Sequence, residues 1–250
     1  MDQSPGTDRI AARSRVTLDE AVDTTRTGDI WIFRGATPAD RAIRTLTNAP
    51  VNHVGMTVAI ADLPPLMWHA ELGRSLPDMW TGRYQRGVQL HDLRSAVQVW
   101  GARYGQRGWL RQISVAVTAD QEDQLLRTIA RLDGTPFPST ARLTGRWLAG
   151  RLPRRRRAGT PAPSGRGRRA DASDIRLESA YCAEVVGLTM EEMGLLQQRR
   201  RGSNWYDPGR FWSGDRLPLA PGVDFGGEIE VVLGAADLAA GRAAGSMPPS

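Results

Sequence analysis

At 250 residues the chain is long enough for one sizeable core or at most two small ones. It is 40% hydrophobic and 24% charged, ordinary for a globular protein in water, and no apolar run approaches the roughly 20 residues of a membrane helix. The net charge of +6 sits in one place: Arg151 to Arg176 carries +7 and the remainder −1, which argues against a dedicated nucleic-acid domain.

All 33 basic residues are arginine, which with the many Ala, Gly and Pro reads as a coding bias. The single cysteine excludes an intramolecular disulfide. Met1-Asp2-Gln3-Ser4-Pro5-Gly6 lacks the basic start and apolar run of a signal peptide. The expected location is the cytoplasm, with peripheral membrane contact as the alternative.

Residues 1–25 are polar and expected to be poorly ordered, apart from a short helix over 16–22 with Thr17 near its start. Thr27-Gly28-Asp29 is a turn signal, and Ile30-Trp31-Ile32-Phe33 reads as a buried strand. Thr37-Pro38 marks a helix start, with proline at the first position. Residues 51–60 are the clearest strand. Val54, Met56, Val58 and Ile60 share one face; His53, Gly55, Thr57 and Ala59 share the other. The small residues beside His53 leave room for another element or a ligand. In the next strand, 66–72, Met67, His69 and Glu71 share a face, so a hairpin brings His53 and His69 side by side.

The loop 73–87 carries Trp80 and Tyr84. Residues 88–93 and 111–117 alternate as strands, with 97–100 continuing the sheet. Thr118 and Gln121 fit a capping box for a helix with Leu125, Leu126, Ile129 and Leu132 as its apolar stripe. Residues 141–152 read as a short basic helix around Trp147. Residues 153–174 are rich in Arg, Pro and Gly with almost no apolar content, so this insertion is expected to be disordered. The main helix is expected over 177–196, with Ser179 as cap. Cys182, Val185, Val186, Thr189 and Met193 share its buried face. A last strand follows at 228–233, then a flexible tail over 236–250. The expected fold is α+β: one domain over 26–235, an antiparallel sheet packed against the helix that carries the cysteine.

A thiol attacks carbonyls as thiolate, and its pKa falls at helix N-termini and beside histidine. Cys182, one turn into its expected helix, meets the first condition by position. His53 is the best-placed base, and a base works when its far nitrogen is held. His69 fits that role by facing, with Glu71 as the alternative. His91 beside Asp92 reads as an edge-strand or surface residue. Two histidines and one cysteine without close spacing are weak evidence for zinc, so neither metal nor other cofactor is expected. Pattern alone favours a core role for Cys182.

Four segments in order, Thr27-Gly28-Asp29-Ile30-Trp31-Ile32-Phe33-Arg34, Asn52-His53-Val54-Gly55-Met56, Leu66-Met67-Trp68-His69-Ala70 and Tyr181-Cys182-Ala183-Glu184-Val185-Val186, carry a resemblance. The order resembles the circularly permuted papain-like enzymes of the NlpC/P60 superfamily, specifically the YaeF/YiiX-type amidases. The resemblance covers roughly residues 27–212 and implies a permuted papain-like fold. It implies Cys182 as nucleophile, His53 as general base and His69 as the third polar residue, where the family often has glutamate. Asn52 stands where serine is more usual, and the long arginine-rich insertion matches nothing in the family pattern.

The expectation is therefore a cysteine amidase or peptidase-type hydrolase cleaving an amide, ester or thioester through an acyl-enzyme. Tyr181, Trp205 and Tyr206 are its candidate substrate-binding residues. Its partner would be an amide- or ester-containing small molecule, peptide or lipid. One alternative is a lipid-directed acyltransferase resting on an anionic membrane through the arginine insertion. The other is a non-catalytic binding module with a degenerate site.

Overall fold

The run Ile30–Arg34 becomes an interior strand of the sheet. The computed structural model describes residues 14–35, 49–60, 62–71, 73, 75–135, 172–198, 206–214 and 217–244, with side chains of the 172–192 helix described from Tyr181 onward. Its strands are β1 (Arg15–Thr17), β2 (Ile30–Arg34), β3 (His53–Val58), β4 (Leu66–Glu71), β5 (Gly87–Asp92), β6 (Arg107–Arg111) and β7 (Ile229–Val232). They form one seven-stranded sheet in the order β1-β7-β6-β2-β3-β4-β5. The helices are α1 (Leu18–Thr24), α2 (Leu93–Tyr104), α3 (Ala119–Leu132), α4 (Ala172–Glu192) and α5 (Ala235–Ala244). The α+β expectation holds, but the sheet is mixed. β1 runs parallel to β7, while the other neighbours pair antiparallel.

Register sorts the side chains onto two faces. Ile32 pairs with Val54, Met56 with Trp68, and Trp68 with Leu90. Because strand residues alternate, these pairs share one face. They form a core cluster with Leu125 and Ile129 of α3 and Cys182, Val185 and Val186 of α4. Trp68 Nε1 donates to Thr189 Oγ1 at 2.9 Å, tying α4 to the sheet through a buried polar pair. The opposite face carries Trp31, Phe33 and Met67, covered by Leu93, Ala96, Val97 and Trp100 of α2 and by Leu18 and Ala21 of α1.

Local signals place the helices. The Thr118–Gln121 capping box is present, and a second, Thr17 with Glu20, starts α1. Asp92 caps α2, its Oδ1 accepting from Ser95 N at 2.8 Å.

Several expectations are corrected. Residues 97–100 lie in α2, not in a strand. Leu93, Ala96, Val97 and Trp100 recur at helical spacing behind the Asp92 cap, which outweighs the local Val97/Val99 alternation. The strand expected over 111–117 lies earlier, at Arg107–Arg111, where it pairs with β2; beyond it only Ile113 bridges, to Phe225. Within the N-terminal stretch expected to be poorly ordered, β1 and α1 form, because the buried Val16, Leu18 and Ala21 pack under α2. The expected tail holds α5, packed against α2. α4 begins at Ala172, inside the insertion expected to be disordered. The helix expected after Thr37, the basic helix at 141–152 and residues 153–171 lie outside the described residues.

Candidate functional site

β3, β4 and β5 each contribute a histidine to one face of the sheet. Met56 is opposite Trp68, so His53 and His69 sit diagonally across the β3–β4 pair. His69 is opposite Gln89, and His91 lies two residues further along β5. The three rings form a chain. His53 Nε2 lies 3.2 Å from His69 Nδ1, and His69 Nε2 lies 3.0 Å from His91 Nδ1. The expected approach of His53 and His69 is therefore formed. His91, expected at an edge or surface, belongs to an edge strand but is fully buried, as is His69; His53 keeps 6% exposure.

Trp100 of α2 closes over this group, its ring centroid 5.0 Å from that of His53 and 4.9 Å from that of His69. The indole had no role in the sequence reading, because 97–100 was assigned to the sheet. The helical spacing behind Asp92 was the signal that would have placed it. The room expected beside His53 is not empty: a Cβ on Gly55 would meet Met67 Sδ at 2.3 Å.

Burial dominates the electrostatics. It pushes the His53 imidazolium down to about 3, with positive charge at His91 adding to the effect. His69 falls well below the usual range for the same reason, burial first, then His91 and His53. His91 is lowered by burial and partly restored by the negative charges of Glu71 and Asp78. All three are neutral near pH 7. Each contact then needs one N–H and one lone pair, which a single proton per ring supplies. His91 Nε2 is left buried without a hydrogen bond, although the Leu76 carbonyl lies near enough to favour a proton on the ring.

Glu71 does not orient His53. Its carboxylate accepts from Ser75 Oγ at 2.5 Å and Ser75 N at 3.3 Å, at the start of the following loop. It does join His69 and His91 in another way. One donor atom from each of the three lies within 4.8 Å of the others, and all three residues are buried. Among the described residues this is the group whose donors fit a metal ion.

The structure does not bring Cys182 to this group. His53 pairs with Phe33 and contacts Trp100, on the α2 face. Cys182, fully buried, packs in the cluster that holds Val54, Met56 and Trp68, on the α4 face. The sheet lies between thiol and imidazole. α4 also starts at Ala172, which places Cys182 in its third turn and not near its N-terminus. The backbone N–H groups there are spent within the helix, so they hold no oxyanion.

The candidate substrate residues follow Cys182. Tyr181 and Tyr206 are buried in the α4 cluster, and Tyr206 Oη donates to Glu191 Oε1 at 2.6 Å. The Tyr206 ring lies over Gly187, where a Cβ would meet it at 2.4 Å, so Tyr206 packs the helix. Trp205 lies outside the described residues.

No protein-family model matches the chain, and no curated protein matches it. Among solved structures it is similar to the metalloprotein yiiX from Escherichia coli O157:H7 (DUF1105). The two are 17% identical, the match covers 80% of this chain and 96% of that one, and the TM-score is 0.43. So loose a likeness carries no argument about activity.

Proposed function

We propose that the protein is a hydrolase of amide or ester bonds centred on the histidine face of the sheet, with a zinc-type divalent cation held by His69, Glu71 and His91. The donor set is what supports this reading: two imidazoles and a carboxylate, buried, within 4.8 Å of one another. Two histidines and a glutamate are a known ligand set for catalytic zinc, and three protein ligands leave a position for water. Such an ion, when bound, acidifies that water and polarises a carbonyl. It replaces the earlier expectation of no metal.

The chain's own residues prepare the site. Burial holds the imidazoles neutral, which ligation requires. His69 Nε2 and His91 Nδ1, 3.0 Å apart, would hold the ion together with a Glu71 carboxylate oxygen. His69 Nδ1 donates its proton to His53 Nε2, and this tautomer leaves His69 Nε2 free to ligate. Trp100 keeps bulk water out.

The thiol hydrolase expected from the motif order remains a second reading, favoured by the His53–His69 contact. It requires α4 to bring Cys182 to the other face. Lipid acyl transfer at an anionic membrane would need the same thiol, and a non-catalytic module would bind a cation without turnover.

The test uses the full chain. Zinc content and hydrolysis of nitrophenyl esters and anilides are measured before and after chelation, in wild type, His69→Ala and Cys182→Ala. One zinc per chain is expected, with turnover falling at least about ten-fold on chelation and in His69→Ala. Cys182→Ala should stay near wild type. Turnover that survives chelation and disappears in Cys182→Ala would restore the thiol reading.

A further inference from the structure

Gln89 is fully buried, and neither its Oε1 nor its Nε2 has a hydrogen-bond partner. The side chain belongs to the histidine face. Gln89 is the cross-strand partner of His69, Glu71 is its diagonal neighbour, and His91 is two residues along the same strand. His91 Nε2 beside it is also buried and unpaired. A buried amide costs stability unless it is paired, and leucine or methionine would occupy the position without that cost.

We infer that Gln89 is the recognition group of this site, and that its ligand is a compact carboxamide with C=O and N–H on the same side: a primary amide or a lactam-type ring. A glutamine amide offers one donor edge and one acceptor edge side by side. A carboxylate would satisfy Nε2 and leave Oε1 bare. An ammonium group, or a cation on Oε1, would leave Nε2 bare. An extended secondary amide is trans, so its C=O and N–H lie on opposite edges and cannot both reach one glutamine. A primary amide or lactam closes both bonds at once. The inference rests on the proposed location of the centre and narrows its substrate from amides and esters to this class.

The experiment measures binding of 2-pyrrolidinone, acetamide, N-methylacetamide and acetate to the full chain by ligand-observed NMR. Wild type, Gln89→Leu and Gln89→Met are compared, with Tm and zinc content recorded for each. Wild type should bind 2-pyrrolidinone and acetamide at least ten-fold more tightly than the other two. Gln89→Leu and Gln89→Met should lose that preference while Tm stays level or rises and zinc content is unchanged. Equal binding of all four probes by wild type, or an undiminished preference in a folded Gln89 variant, overturns the inference. Zinc uptake without amide preference rejects this inference alone. Amide preference without zinc uptake rejects the cation and leaves Gln89 in its role.

Discussion

Asp29 illustrates how one buried side chain organises several segments. Its Oδ1 accepts from Ile113 N at 2.9 Å and its Oδ2 from Arg26 N at 2.8 Å, joining the turn before β2 to the chain after β6. Burial raises its carboxyl from 3.8 to about 6, against the lowering effect of those N–H groups. Between these values the unfolded chain has released a proton that the folded chain still holds. Stability from this group therefore falls as pH rises from about 4 to about 6, and is level above that. Asp29→Asn should remove that slope in urea titrations across this range. It should also cost about 1–3 kcal/mol, because the amide cannot accept from both N–H groups without turning its own donor towards one. Cys182 gives a second prediction at this scale. A fully buried thiol should resist a bulky maleimide in the native protein and react once the chain unfolds in denaturant. Rapid native labelling would place it at a surface.

Among the elements, α2 has most influence on the site. Asp92 starts it and Trp100, two turns on, lies over His53 and His69. Asp92→Ala should cost about 1 kcal/mol by removing the cap. Trp100→Ala should cost about 3–5 kcal/mol through the cavity left beside Phe33 and the two histidines, read from urea unfolding. Both losses should lower zinc retention, Trp100→Ala more, because water then competes at the imidazoles. Much of the remaining element structure was legible in the sequence. β2 announces itself as a short apolar run, β3 and β4 by alternation, and α3 by its cap and stripe. α2 was misread because Val97-Gln98-Val99 alternates over too short a window to tell a strand from a helix segment. Deciding it needed the Asp92 cap and the Trp100 position weighed together.

At the scale of the whole molecule, the first and last of the described strands lie side by side at one sheet edge. β1 pairs in parallel with β7, and Glu230 receives Arg15 at 2.7 Å and Arg107 at 2.5 Å. Both arginines are more than half exposed, so Glu230→Gln should change stability by less than about 1 kcal/mol, and less at high salt. Removing residues 1–17 is different. It uncovers β7 along its backbone and takes Val16 from the core, so Tm should fall and self-association should appear by light scattering. The pairing of β1 with β7 is not visible in local pattern, because a parallel partner more than 200 residues away leaves no periodic trace.

The sequence by itself determined which residues share a strand face. Alternation with a period of two is a property of the extended backbone, and it put His53 with Gly55 and Thr57, and His69 with Glu71, before any fold was known. It also placed Cys182 on a buried helix face. Only the tertiary structure decided which layer covers which face. α4 packs on Val54, Met56 and Trp68, while α2 packs on Phe33 and the histidines. That choice sets the thiol and the imidazoles on opposite sides of the sheet, while strand register brings Gln89 and His91, the latter read as an edge-strand or surface residue, beside His69. Local pattern cannot supply it, because both faces of these strands are apolar enough to bury, and the free energy that assigns each helix to a face comes from contacts between residues far apart in the chain.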